Sequence, residues 1–184
     1  AKEQFSLVRT AYEVLSNRGS RAIYDVGGLE QYREYENSPN MFQQGEDLEV
    51  PLHISLADFY KGKDIEHSLR RRVVCKGCKN WRRGQAPERC QQCQRCPDAI
   101  EMRTVIWQGM YTQQEERVQS PYRCKFEVKK FQISVDPGMA DGERIEFEFA
   151  GHQEPGKIPG SIKVILRQTP HPFFERRGTQ LRAV

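Results

Sequence analysis

No stretch of the chain approaches the run of about eighteen apolar residues that a membrane-spanning helix needs, and the opening AKEQFSLVRT has no signal-peptide core. Apolar residues are scarce, 37% of 184 positions, which suits one or two small domains with modest cores and argues against a large buried active site. Only 4 histidines occur, none spaced with Asp, Ser or Glu as in a triad or a metal centre. No phosphate-cradling glycine loop is present either, so the sequence does not read as an enzyme. Nor is there a large excess of one charge. The 29 basic and 25 acidic residues leave +4, too little for a polycation that coats nucleic acid. Internal repeats and low-complexity tracts are absent. The chain starts inside a helical pattern and stops at GTQLRAV, a strand just beginning, and so reads as a piece of a longer protein.

What is there divides into a short helical part and a longer β part. In EQFSLVRTAYEVLSN the residues Phe5, Val8, Tyr12 and Leu15 fall on one face of an α-helix. Ser20 is placed to cap a second helix, RAIYDV, and Gly27-Gly28 to end it. The polar stretch 29–45, with Ser38-Pro39 and no clean period, reads as a linker with a helical turn at its start. From Leu48 the period becomes two. Leu48, Val50, Leu52, Ile54 and Leu56 point one way, and Pro51 suggests a sheet edge. Ser55 and Gly62 bracket a capped helical turn, after which Ile65, His67, Leu69 and Arg71 alternate along a strand returning as an antiparallel pair or after a short crossover. Further on, EMRTVIW and MYTQQEERV flank Gln108-Gly109 as a hairpin, and FQISV, RIEFEF and SIKVILR alternate between turn signals. The expected fold is mainly β, a small sandwich with a helical N-terminal part.

Cysteine is concentrated. Five of the 6 lie in CKGCKNWRRGQAPERCQQCQRC, residues 75–96, a basic stretch with little apolar content to fold around. Cys75-x-x-Cys78 and Cys93-x-x-Cys96 have the spacing that lets paired thiolates reach one tetrahedral zinc. An even set of six also suits three disulfides. A redox pair would want a thioredoxin-like βαβ pattern, which neither CxxC has. The basic side chains Arg70, Arg71, Arg72, Lys76, Lys79, Arg82, Arg83 and Arg89 beside the cysteines raise a zinc-dependent nucleic-acid-binding module as an alternative, although only Trp81 interleaves as a stacking aromatic.

The residues carry an extended resemblance. AKEQFSLVRTAYEVLSN…SRAIYDVGG resembles the third and fourth helices of a J domain. GEDLEVPLHISLADFYKGKDIEHSLRRRVVC resembles the opening of the first C-terminal client-binding domain of a DnaJ-type co-chaperone. VDPGMADGERIEFEFAGHQEPGKIPGSIKVIL and HPFFERRGTQL resemble its later strands. The resemblance covers nearly the whole chain in the family's order. It implies a partial J domain at 1–28, a linker at 29–45 and a client-binding domain at 46–184 with a cysteine-rich insert at about 75–124. The His-Pro-Asp trigger of the J domain is missing, since His171-Pro172 is followed by Phe173.

By that resemblance the chain is a co-chaperone, not an enzyme. It would bind unfolded polypeptide by strand addition and deliver it to a DnaK-type ATP-dependent chaperone, with homodimerisation through a C-terminal part outside this sequence. A structural subunit without client binding is the other alternative. The implied client groove is Leu52, His67, Leu69 and Phe147, positions that alternation alone reads as core. The family's zinc repeats read CxxCxGxG, whereas here the pairs continue KNWRRG and PDAI. The lost glycines and the even count favour disulfides among Cys75, Cys78, Cys90, Cys93, Cys96 and Cys124. No cofactor is then expected, with zinc on Cys75, Cys78, Cys93 and Cys96 as the alternative. The altered insert is similar to that of DnaJ proteins of the endoplasmic reticulum lumen, an oxidising compartment where disulfides persist.

Overall fold

A computed structural model describes residues 2–79, 88–107 and 109–183. The chain divides into two compact units, one of Ala1–Gly45, Arg72–Glu127 and Gln153–Pro159, the other of Glu46–Arg71, Val128–His152 and Gly160–Val184. Segments that follow one another along the chain are thus interleaved between the units.

The first unit opens with two helices, α1 (Lys2–Ser16) and α2 (Arg18–Asn37). The cap between them is Asn17, not Ser20. Its side-chain oxygen accepts the N–H groups of Gly19 at 2.8 Å and Ser20 at 3.2 Å, which would otherwise go unpaired at the helix start. Gly28 breaks α2 with φ 77°, a left-handed value that glycine adopts without a Cβ clash. The chain then turns helical again to Asn37, so much of the expected linker is helix. On α1 the periodic residues Phe5 and Tyr12 are 72% and 71% exposed, and Val14 is the buried one. The rest of this unit carries α4 (Lys76–Lys79), β3 (Gln94–Arg95), and the hairpin β4 (Ala99–Trp107) and β5 (Met110–Val118). Gly109 turns that hairpin at φ 79°, and Gln108 lies outside the described residues.

The second unit is built on β1 (Leu48–Ile54), α3 (Leu56–Lys61), β7 (Arg144–Phe147) and β8 (Ile162–Gln168), closing with the hairpin β9 (Phe174–Arg177) and β10 (Gln180–Ala183). The strands β2 (Lys63–Val74) and β6 (Arg123–Val135) each contribute residues to both units. β1 lies parallel to β8, with Leu48 opposite Ile162, and β7 runs antiparallel on the other side of β8. The sequence left β1 and β2 as an antiparallel pair or a crossover. The structure has the crossover, for β1 pairs with β8 and β2 with β6. β1 is therefore an edge strand, where the missing N–H of Pro51 costs no ladder bond.

The crossover is local in origin. Ser55 Oγ accepts the Asp58 N–H at 3.1 Å, and Gly62 closes α3 at φ 79° by donating to Asp58 O at 2.8 Å. A Cβ on Gly62 would also stand 2.9 Å from Pro137 Cδ. Asp47 fixes the start of β1. It accepts from Lys163 Nζ at 2.5 Å and from the Ser161 N–H at 2.7 Å, which hold its carboxyl below the usual range.

The core of the second unit joins Ile54 and Phe59 to Phe131, Ile133 and Val135 of β6 and Ile162, Val164 and Leu166 of β8. Every second residue of β8 from Ile162 to Leu166 is buried, which the alternation predicted. Leu166→Ala removes a side chain with no exposed surface. We expect it to lower stability by about 2–5 kcal/mol in urea unfolding followed by circular dichroism, whereas Leu181→Ala on the exposed hairpin should cost under about 1 kcal/mol.

Candidate functional site

The cysteines separate into a tetrad and a pair. Cys75 follows β2, and its N–H donates to Arg123 O at 2.8 Å. Cys78 N–H donates back to Cys75 O at 3.1 Å, closing a tight turn over the first CxxC. Cys90 and Cys93 repeat that turn, with Cys93 N–H on Cys90 O at 3.1 Å. The two turns face each other. All four sulfurs lie within 4.8 Å of one another, and the Cys75 and Cys90 sulfurs are 3.7 Å apart. Sulfurs about 2.3 Å from a tetrahedral zinc stand about 3.8 Å from each other, so the spacing fits that ion.

Cys96 and Cys124 form the disulfide, across 28 positions of sequence. The ladder explains the choice. β3 runs antiparallel to β6, Gln94 faces Cys124, and Cys96 N–H donates to Tyr122 O at 3.0 Å. The pair is buried with Val26, Val74 and Tyr122. Cys124 thus reaches back to the insert, but disulfides do not extend to Cys75, Cys78, Cys90 and Cys93, which are free thiols. The alternative zinc set is corrected at one position, Cys90 standing where Cys96 was expected. CQQCQRC contains two overlapping CxxC spacings, and spacing alone cannot choose between them.

The electrostatics of the tetrad suit a cation. Burial pushes the Cys75 thiol up, but the Cys78 N–H and the thiols of Cys93, Cys78 and Cys90 point at its sulfur and bring it down to about 7. Burial raises Cys78, as do the hydrogen bonds with Cys90, Cys75 and Cys93 and the charge on Cys75. Cys93 is raised chiefly by burial and next by Cys75. Cys75 can thus ionise while Cys78 and Cys93 keep their protons, and a thiolate at either is opposed by the charge on Cys75. A divalent ion would remove that opposition. When bound, zinc would supply cross-linking free energy and no reaction step.

The four groove positions lie in the second unit. Leu52 is on β1, His67 and Leu69 are on β2, and Phe147 is on β7, each the outer strand of its sheet among the described residues. All four are half-buried. Leu52, Leu69 and Phe147 pack against the core cluster, with the Phe147 ring 5.0 Å from that of Phe131.

The basic stretch gives a different picture from an open phosphate surface. Arg72 donates to Glu154 at 3.2 Å, Lys76 to Asp25 at 3.1 Å, and Arg71 to Ala150 O at 2.9 Å. Trp81, Arg82 and Arg83 lie outside the described residues, as do the side chains of Lys79 and Arg89.

Metal analysis of the purified chain should give one zinc per chain. Cys90→Ser should abolish retention and Cys96→Ser should leave it. Because protons compete for thiolates, retention should fall as pH is lowered. Retention by Cys90→Ser, with loss in Cys96→Ser, would restore the other ligand set.

The match to known proteins agrees with this arrangement. The model of the DnaJ C terminal domain matches residues 48–184. Human DnaJ homolog subfamily A member 2 is 30% identical over 226 residues, covering 98% of this chain and 55% of that protein. DnaJ protein homolog 1 of Allium porrum is 29% identical over 226 residues, covering 97% and 56%. Mouse DnaJ homolog subfamily A member 4 is 30% identical over 220 residues, covering 97% and 55%. The chain spans about half the length of these relatives. With a family match across most of its length and a cluster of four cysteines within it, the chain belongs to the DnaJ C-terminal domain family.

Proposed function

We propose that the chain is the central portion of a co-chaperone that binds unfolded or partly folded polypeptide and delivers it to a DnaK-type ATP-dependent chaperone. The observation that carries this reading is the family match over residues 48–184. The outer-strand positions of Leu52, His67, Leu69 and Phe147 support it. An extended client adds beside β2, where backbone hydrogen bonds accept any sequence, and its apolar side chain enters between Leu69, Leu52 and Phe147. His67 narrows and polarises that pocket. Residues 1–28 are then the closing part of a J domain, 29–45 its linker, and homodimerisation belongs to a longer protein.

The role needs no chemistry at the bound chain, so it is not enzymatic. The chain contains no His-Pro-Asp tripeptide. Binding of clients and stimulation of the partner's ATPase therefore separate. A nucleic-acid role is disfavoured by the carboxylates that answer Arg72 and Lys76. The compartment is the lumen of the endoplasmic reticulum, a reading supported by the buried Cys96–Cys124 bond, which a reducing cytosol would not favour.

Leu69→Ser and Phe147→Ser should each weaken binding of an apolar extended peptide by about 1–3 kcal/mol, the scale of burying one side chain, with the circular dichroism spectrum retained. Unaltered affinity in a folded Phe147→Ser protein would remove the groove. In single-turnover assays this chain should bind clients without accelerating ATP hydrolysis by the DnaK-type partner, and full stimulation would contradict the assignment.

A further inference from the structure

A cavity of the first unit lies between α2, the segment that follows β5 and the turn at Pro155. It measures about 300 Å³, room for one long side chain and the peptide group that carries it. Its lining comes from the interior of the sequence, between Gly27 and Gly156, and from this unit alone. Pro121 and Tyr122 form one wall. The buried Ser120 hydroxyl accepts the Tyr122 N–H at 3.3 Å, and Tyr122 O accepts the Cys96 N–H at 3.0 Å, so the wall is tied to the segment that the Cys96–Cys124 bond holds.

The helix side carries the polar groups. Glu30 and Gln31 stand four and three positions before Glu34, which sets the three on one face of α2. Gln31 is 8% exposed, and among the described residues its Nε2 has no hydrogen-bond partner. A buried amide N–H without an acceptor is costly, and folded chains seldom keep one. Gly27, one turn earlier, makes room for it, since a Cβ there would collide with the Gln31 side chain. A glycine that weakens the helix thus seats an amide whose Nε2 bonds nothing. The two charged residues that line the cavity, Glu30 and Glu34, are both acidic, and like charges one helical turn apart oppose each other. Arg95 is held on Gln119 Oε1 at 2.7 Å and does not border the cavity.

We propose that this cavity binds a basic peptide segment, one that presents a backbone carbonyl beside an arginine side chain. The carbonyl accepts from the Gln31 amide, and the guanidinium meets Glu34 in a charge-assisted contact. The aliphatic stem of the arginine lies along Pro121, Tyr122 and Pro155. The unpaired group on Gln31 is a donor, so the ligand must bring an acceptor as well as a positive charge. A metal ion or a polyamine brings only the charge, which is why a peptide is favoured. Leu52, His67, Leu69 and Phe147 all belong to the other unit, so the site does not depend on the client-groove reading.

Fluorescence anisotropy on the full chain tests this with a short labelled peptide alternating alanine and arginine, and its twin carrying citrulline, the neutral isostere, for arginine. The arginine peptide should bind on the order of tenfold tighter than its twin and lose that advantage as salt is raised. Glu34→Gln, at an exposed position where the fold is retained, should bring the two peptides to equal affinity. Gln31→Met should weaken both peptides by about tenfold, the scale of one hydrogen bond to a buried donor, without lowering Tm, because Nε2 has no bond to lose. Leu69→Ser should leave this binding unchanged, which separates the site from the client groove. Equal binding of the two peptides to the unaltered chain, an arginine preference that survives Glu34→Gln, no effect of Gln31→Met, loss in Leu69→Ser, or displacement of the peptide by an equal concentration of spermidine would overturn the proposal.

Discussion

Sulfur holds together the part of the chain that apolar burial cannot. Between Cys75 and Cys124 the buried apolar positions among the described residues are chiefly the cysteines themselves. The tetrad of Cys75, Cys78, Cys90 and Cys93 brings four polarisable side chains together, and the charge on Cys75 raises the cost of ionising Cys78 and Cys93. A structural zinc contributes about 10–16 kcal/mol in small peptides, against a net stability of about 5–15 kcal/mol for a whole domain. Metal at this site would therefore decide whether the surrounding segment folds. The Cys96–Cys124 bond acts at a different level, closing a loop of 28 positions within a small apolar cluster and constraining the unfolded chain.

The second unit follows the opposite logic. Its core is the ordinary product of alternation, with β6 and β8 each turning one face inward. What it leaves outside is the surface on which the proposed client binding rests. Outer strands β1, β2 and β7 carry half-buried apolar side chains beside open backbone groups, the combination by which strand addition gains both sequence tolerance and a preference for apolar residues.

Much of this was legible in residue order. Alternation from Leu48 and from Ile65, the Ser55 cap, the Gly62 stop and the hairpin around Gly109 all depend on neighbours close in sequence, and they appear as read. The misreadings depend on distant partners or on competition between adjacent candidates. Asn17 and Ser20 are both good caps, and the one nearer the helix start took the N–H groups. The apolar stripe on α1 announces a helix but not what covers it. Pairing of β1 with β8 joins residues more than a hundred positions apart, which no local pattern encodes. The cysteine choice is the clearest case. Cys93 is equidistant in sequence from Cys90 and Cys96, and only the β3–β6 ladder, by drawing Cys96 to Cys124, leaves Cys90 to the tetrad.

The central claim is that four thiolates of this chain share one ion while the remaining two cysteines are bonded to each other. X-ray absorption at the zinc edge on the purified protein measures the ligand shell directly. The account predicts a shell of four sulfurs at about 2.3 Å, unchanged in a protein lacking both Cys96 and Cys124. A shell containing nitrogen or oxygen, or the absence of stoichiometric zinc from a folded protein whose six cysteines are all oxidised, would contradict it.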